Sequence, residues 1–421
     1  MTVTILTGLT FCLVRALSQQ WHTGLMATAC EGLPATVWHQ AGRLLPCSQR
    51  RAGLRVACQP IYTGIAGADA AERMPVQEGE ARPTMAWKRA AEALVRRVVR
   101  SALTRKDVLA EDGLYAALCG TGSPLPDIHR AGPSIAVSAG KHFFIVDAGQ
   151  GSTRNALLMR LPVAKTDAIL LTHFHSDHIA DLGELMLQRW VAGFNKTPVD
   201  VIGPAGVEQV VEGVNMAYGL DAGYRTAHHG PETAPPTGAG GIARPVKLSA
   251  EPDASAVVFD TDGVKITAFK VDHRPVAPAV GYRVDYRGRS LVISGDTVYS
   301  GSLLEHAMGA DVLLHDALNA SMVQMMNDNA SLARSPSLER ITQDIPSYHA
   351  TPEDAARIAA AAGVRHLILY HIIPPVPSRL SRLFIGGARR YFKGPITVAE
   401  DGMLIFLPAS SDRVEIKAAS M

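Results

Sequence analysis

The stretch "ILLTHFHSDHIADLGEL" (Ile169–Leu185) packs three histidines and one aspartate into six positions, His173 to His178. An apolar, strand-like run leads in and a helix-like segment leads out. In extended chain, alternate side chains point the same way, so His173 and His175 can face one metal ion. Where the chain turns into the helix, Asp177 and His178 are carried to the other side and can face a second. Imidazole and carboxylate are suitable donors for zinc or a similar borderline ion.

One cluster of this size does not complete a two-metal site, so further donors are expected at other strand ends. Three runs of apolar residues finish on such a group: "AFKVDH" on His273, "VISGDT" on Asp296 and "LILYHI" on His371. A donor at the rim of a sheet has its direction set by the strand beneath it.

Around these motifs, short apolar runs alternate with turn residues from Gly113 onward, and helical segments intervene. Helices are expected at about 180–192, 205–218, 352–362 and 378–391. The Gly/Pro-rich stretch 221–245 reads as a surface loop or flap. The fold class is α+β: an αββα sandwich of two mixed β-sheets flanked by helices. The organisation expected is a poorly ordered N-terminal extension (1–85), a basic helical lead-in (86–112), a main domain carrying the histidine motifs (113–408) and a C-terminal tail (409–421).

The chain has 421 residues and a net charge of +2. So small a net charge gives no reason for strong non-specific binding of nucleic acid through the overall field. Four of the five cysteines fall in the first 58 residues and none forms a CxxC pair, so the body should fold without disulfides. Thr2–Val14 is apolar, but no basic residue precedes it and it is too short to span a bilayer. Stable membrane insertion is therefore not expected, and a cytoplasmic location is. The helical stretch Ala86–Lys106 carries Lys88, Arg89, Arg96, Arg97, Arg100 and Arg105, read as a solvated basic face.

With these motifs in place, the sequence resembles the metallo-β-lactamase superfamily. HFHSDH matches its HxHxDH signature, and the branch most similar is that of ribonuclease Z and the arylsulfatase-like enzymes. "CGTGSPLP" resembles that branch's opening strand and loop, and "FIVDAGQGS" the following Asp-Gly turn. "VDHRPVAPAVGYRV" resembles the segment with the third histidine of the first metal. "VISGDT" resembles the bridging-aspartate strand, and "DVLLHDALN" the His-Glu-Ala-Thr element. "YHATPEDAARIAAAAGVRHLILYH" resembles the run from the catalytic histidine to the last ligand. The likeness covers about Tyr115–Val398.

The resemblance implies a first metal on His173, His175 and His273, a second on Asp177, His178 and His371, and Asp296 as bridge. It implies two Zn²⁺, with Mn²⁺ or Fe²⁺ as substitutes. His349 falls where the branch places a proton donor, and Asp316 where it places a carboxylate that orients that histidine. The branch usually has Glu there, so the shorter side chain puts the relay in question. Asp177, His349 and Asp316 are the expected catalytic groups, Asp177 doubling as a ligand. A hydroxide bridging the two ions would attack a phosphodiester or a sulfate ester. Lactone or β-lactam opening is the alternative, and a non-catalytic metal-binding module the alternative of another class. Redox members carry an acid where this chain has His175, which favours hydrolysis.

One departure bears on substrate. The tRNA-processing enzymes of the branch insert a long arm between the Gly-Tyr-Arg segment and the Gly-Asp-Thr strand. Here "GYRVDYRGRSLVISGDT" (Gly281–Thr297) joins them through a tight hairpin. The stretch 221–245 sets Arg225 and Arg244 against Asp221 and Glu232, too little charge to replace the arm. The substrate expected is therefore a small or medium anionic ester, with RNA still open, acted on by a homodimer.

Overall fold

The computed structural model describes residues 85–104 and 109–418. Of the extension expected at 1–85, all but Met85 lies outside them. The chain divides into two units at Arg105/Lys106. In the first, the described residues form one helix, α1 (Met85–Thr104), on which Leu94, Val95 and Val98 are exposed. Among the described residues no helix is long and apolar enough to cross a membrane.

The second unit contains two sheets. The first opens with β1 (Gly113–Gly120), β2 (Ser134–Ala139) and β3 (His142–Val146), an antiparallel set. It continues through α2 (Ser152–Leu158), β4 (Ala168–Leu170), α3 (Ser176–Ile179), α4 (Leu182–Gly193), β5 (Val199–Gly203), α5 (Val207–His229) and β6 (Gly241–Pro245). From β3 to β6 the strands are parallel, as connections through helices require.

The second sheet begins with β7 (Ser255–Thr261), β8 (Val264–His273) and β9 (Val276–Tyr286), again antiparallel. Next come β10 (Arg289–Ile293), α6 (Gly301–Ala307), β11 (Val312–Leu318), α7 (Ala320–Leu332), α8 (Pro336–Asp344), α9 (Pro352–Ala361), β12 (His366–Ile373), α10 (Ser381–Phe384) and β13 (Ile396–Val398). The strands from β10 to β13 are parallel. Finally β14 (Met403–Pro408) and β15 (Glu415–Ala418) rejoin the first sheet, giving the orders β15-β14-β1-β2-β3-β4-β5-β6 and β13-β12-β11-β10-β9-β8-β7.

Three apolar layers hold this together. The middle one lies between the sheets and takes Leu114, Ile135 and Phe144 from one, and Tyr282, Ile293 and Ile368 from the other. An outer layer packs Ile145, Ile169 and Val201 against Leu185 and Met186 of α4 and Val211 of α5. The third packs Leu313, Leu367 and Leu369 against Leu303 of α6, Ile358 of α9 and Phe384 of α10. The observed architecture is thus the αββα sandwich of two mixed sheets.

Several boundaries differ from those read in the sequence. Helix α5 runs eleven residues past Tyr218, to His229, so much of 221–245 is not a loop. Gly223 is a weak breaker, and the Arg225–Asp221 pair supports the helix one turn apart. The same stretch ends in strand β6, with Pro235 held by the Trp190 indole N–H at 2.8 Å. The helix expected over 378–391 breaks into short turns around α10, because Gly386–Gly387 interrupts it and Gly386 adopts φ +56°. In the stretch expected as a tail, Glu415–Ala418 pairs with β14.

Candidate metal centre

Strand β4 delivers Thr172 to His175 at its carboxyl end, and α3 begins at Ser176 with Asp177 and His178 in its single turn. His273 ends β8, Asp296 follows β10, and His371 lies within β12. All of these sit where strands end at one edge of the sandwich, the place where open α/β sheets bind ligands. His173, His178, His273, Asp296 and His371 are buried almost completely.

The donors converge in three groups, one of His173, His175, His273 and Asp296, one of Asp177, His178 and His371, and one of Asp296, His349 and His371 that overlaps both; within each, the ligand atoms lie within 4.8 Å of one another. His173 Nε2 is 2.9 Å from His175 Nδ1, which lies 3.3 Å from His273 Nε2. Asp296 Oδ2 stands between the first two groups. It is 3.2 Å from His371 Nε2, 3.3 Å from His178 Nε2, 3.8 Å from His173 Nε2 and 3.9 Å from His273 Nε2. Asp177 Oδ2 is 3.3 Å from His371 Nε2 and 3.6 Å from His178 Nε2.

The outer nitrogens of these rings explain what the inner ones are for. His178 Nδ1 donates to Asp147 Oδ2 at 2.9 Å, and His273 Nδ1 to the Tyr348 carbonyl at 2.8 Å. Each bond fixes a tautomer whose lone pair lies on Nε2, facing inward. His178 Nε2 is buried with no hydrogen-bond partner of its own. A buried imidazole lone pair facing other lone pairs and carboxylates is costly unless a cation lies among them. The donor set therefore fits divalent metal.

The electrostatics divide the rings into two sets. Burial, with the neighbouring imidazoles, pushes His173 well below its ordinary range, and burial lowers His175 and His273 despite Asp296. These rings stay neutral and able to bind a cation. Burial is the largest single influence on His178 and His371 and opposes their charge, but Asp296 together with Asp147 for His178, and with Asp177 for His371, overcomes it and both are raised. Burial alone would raise the Asp296 carboxyl, yet His371 and His178 hold it well below the usual carboxylate range.

Residues 142–372 match the Beta-lactamase superfamily domain. A ribonuclease Z of Mycobacterium avium (strain 104) is 39% identical over 290 residues, 68% of this chain and 96% of that protein. The chain belongs to the metallo-β-lactamase superfamily, in its ribonuclease Z branch. A ribonuclease Z of Mycobacterium sp. (strain KMS) is 40% identical over 264 residues, 62% of this chain and 85% of that one. A metallo-β-lactamase fold protein from Bacillus subtilis, YhfI, is 21% identical, with a TM-score of 0.51 over 70% of this chain and 100% of that one. That likeness is one of fold.

Within this superfamily scaffold, His349 and Asp316 also come together. His349 Nδ1 lies 3.0 Å from Asp316 Oδ2 and 4.0 Å from Asp296 Oδ2. The shorter Asp side chain does reach its histidine, because β11 and the loop before α9 are close: Leu318 N donates to Ala350 O at 2.8 Å. Thr351, not His349, caps α9, in a reciprocal box with Asp354.

The sequence reading missed three groups. Asp147 accepts from Thr172 N and Thr172 Oγ1, both at 2.8 Å, as well as from His178. The aspartate of "FIVDAG" ends a strand, and that was the available signal. His315 Nδ1 donates to the Asp316 backbone carbonyl at 2.9 Å and lies 3.0 Å from Asp316 Oδ1, so a second buried imidazole flanks the carboxylate that holds His349. The Tyr348 carbonyl holds His273, and backbone carries no sequence signal.

Proposed function

We propose that this chain is a two-zinc phosphodiesterase that cleaves RNA, the class of substrate that the name ribonuclease Z gives for its relatives. It is a metal-dependent ester-bond hydrolase by family; RNA as substrate, two ions and a cytoplasmic setting are the finer reading. The observation that carries it is the convergence of seven donors from four separate stretches around Asp296.

In this reading His173, His175 and His273 would hold one ion, Asp177, His178 and His371 the other, and Asp296, which stands between the two groups, would serve both. Two such ions, when bound, make water nucleophilic near neutral pH and offset developing negative charge. Asp147 and the Tyr348 carbonyl keep the imidazoles in register. His349, with Nδ1 held by Asp316, has Nε2 free to give a proton to the departing oxygen. A homodimer belongs to the same reading, supported by the exposed side chains of Met216, Leu220 and Tyr224 at helical spacing on α5. Light scattering on Leu220→Asp, expected to be monomeric, tests it.

A second reading has a specific observation behind it. The β9–β10 hairpin turns on Arg287 and Gly288, both at positive φ, with no room for an RNA-gripping arm. A small phosphodiester then suffices as substrate. Sulfate esters and lactones draw no support from the relatives above.

Zinc-loaded protein incubated with precursor tRNA and with a chromogenic phosphodiester separates the readings. Cleavage of precursor tRNA at the 3′ side is the expected result, and turnover of the small diester alone would overturn it. His349→Ala should lower turnover by about 10²–10⁴-fold with metal content unchanged; loss of metal would place His349 among the ligands instead.

A further inference from the structure

The crossover from β12 to β13 is unusual in charge. Pro374–Ala399 holds Arg379, Arg382, Arg389, Arg390 and Lys393 and no acidic residue. The whole chain carries +2, so the remainder without these five sums to −3. All five are exposed. None of the four arginines is in an ion pair among the described residues, whereas nearby Arg357 is 2.6 Å from Asp354. The Glu353 carboxylate that reaches the segment accepts from the Gly387 amide at 2.6 Å and so serves the backbone.

The segment also starts beside the metal centre. It leaves β12 two residues after His371, at the same carboxyl-end edge that carries Asp296 and Asp316. It is tied to that edge twice more. Asn319, three residues beyond Asp316, donates to Phe384 O at 2.9 Å, and Glu353 lies four residues beyond His349. Between Arg382 and Arg389 the surface opens into a pocket of about 390 Å³, lined also by Ile385 and Gly386. Unpaired guanidinium groups flanking a concave surface suit phosphate oxygens, which they meet in a planar, two-point fashion.

The geometry points to this crossover as the surface that holds the RNA phosphate backbone, in place of the arm missing between β9 and β10. The inference rests on the RNA reading of the metal centre and adds to it where the polyanion lies. Guanidinium groups on a segment that leaves β12 directly after His371 would let a duplex or strand be gripped on one side while its end enters among the ligands. Such binding is salt-dependent, because each neutralised phosphate releases counterions.

The test uses full-length zinc-loaded protein and mature tRNA, a probe that cleavage does not consume. Arg382→Glu/Arg389→Glu should bind it at least tenfold more weakly. The slope of log affinity against log salt should fall by about two, roughly one per lost phosphate contact. Turnover of the chromogenic diester should be unchanged, which also reports an intact fold. Arg382→Lys/Arg389→Lys should regain most of the affinity. Equal affinity and slope in wild type and the Glu variant would overturn the proposal, as would a wild type that binds no tRNA. A variant that loses binding while wild type binds but does not cleave precursor tRNA would sustain this surface and sink the catalytic reading instead.

Discussion

Asp147 accepts two hydrogen bonds from Thr172 and one from His178, so its carboxylate cannot turn without breaking all three. That arrangement sets which nitrogen of His178 faces the cluster. Asp147→Ala would free the ring to flip and lose the carboxylate that makes Nε2 more basic. The expected outcome is zinc affinity lower by about 10–100-fold, read by competition with a chromophoric chelator. Affinity equal to wild type would show that packing alone orients the ring. Backbone conformation marks the same place. Among the described residues, seven non-glycines adopt positive φ; five are exposed, and the two buried ones are Asp147 (φ 58°) and His371 (φ 48°). Such conformations cost about 1–3 kcal/mol each; here one is a member of the donor cluster and the other holds His178 from behind.

At the scale of elements, a loop and a strand each show how the site is built. Gly149 lies where the β3–α2 loop passes under α3, and Ala148 N donates to His178 O at 2.8 Å. A Cβ at Gly149 would stand 2.2 Å from the Asp177 carbonyl oxygen and 2.4 Å from the Gly132 carbonyl carbon, both rigid backbone. Gly149→Ala should therefore destabilise the fold by about 1–3 kcal/mol and lower metal content together, checked by urea unfolding and metal analysis. Loss of neither would mean that α3 can shift freely. At the opening of β12, burial pushes His366 down to about 4. Between pH 6.5 and 4 the unfolded chain takes up a proton that the folded chain refuses, so stability falls as pH falls through that window. His366→Gln should shrink the loss in urea midpoint between pH 7 and pH 5, measured on metal-free protein. An unchanged pH dependence would mean that His366 is not responsible.

Over the whole unit, the cluster joins both sheets: His173 to His178 follow the first, and His273, Asp296 and His371 belong to the second. Unfolding scatters these donors, so bound metal stabilises only the folded chain. Zinc at a hundred times its dissociation constant should add about 2.7 kcal/mol per site, seen as a higher thermal midpoint that a chelator reverses. A midpoint indifferent to chelation would contradict a cluster that spans the sandwich.

The sandwich itself was legible, because alternating strands and helices of the right lengths admit few layered arrangements and each apolar run found a layer. The donor residues were legible as chemistry, since histidine and aspartate at strand ends are uncommon and have few structural uses. Helix ends were less so. Nothing local says that α5 continues through Gly223 to His229, and its support comes from packing and the Arg225 pair.

What the amino-acid order determined by itself is the inventory: which side chains can ligate, the spacing that places His173 and His175 on one side, the tight β9–β10 turn, and the basic crossover without acids. What only the tertiary structure decided is where those side chains point. In β12, Leu367 and Leu369 face the helices while Ile368 and Tyr370 face the opposite sheet. The register with β11 then slips, pairing Tyr370 with Asp316 and Ile372 with Ala317, so His371 is an inserted, bulged residue. Strict alternation would have sent its ring to the helix side with Leu369; the bulge and its left-handed backbone bring it to Asp296 instead. A two-residue period is a local property of extended chain, but a bulge exists only against a neighbouring strand. The meeting of His371 with the cluster near His173 is therefore a product of strand pairing.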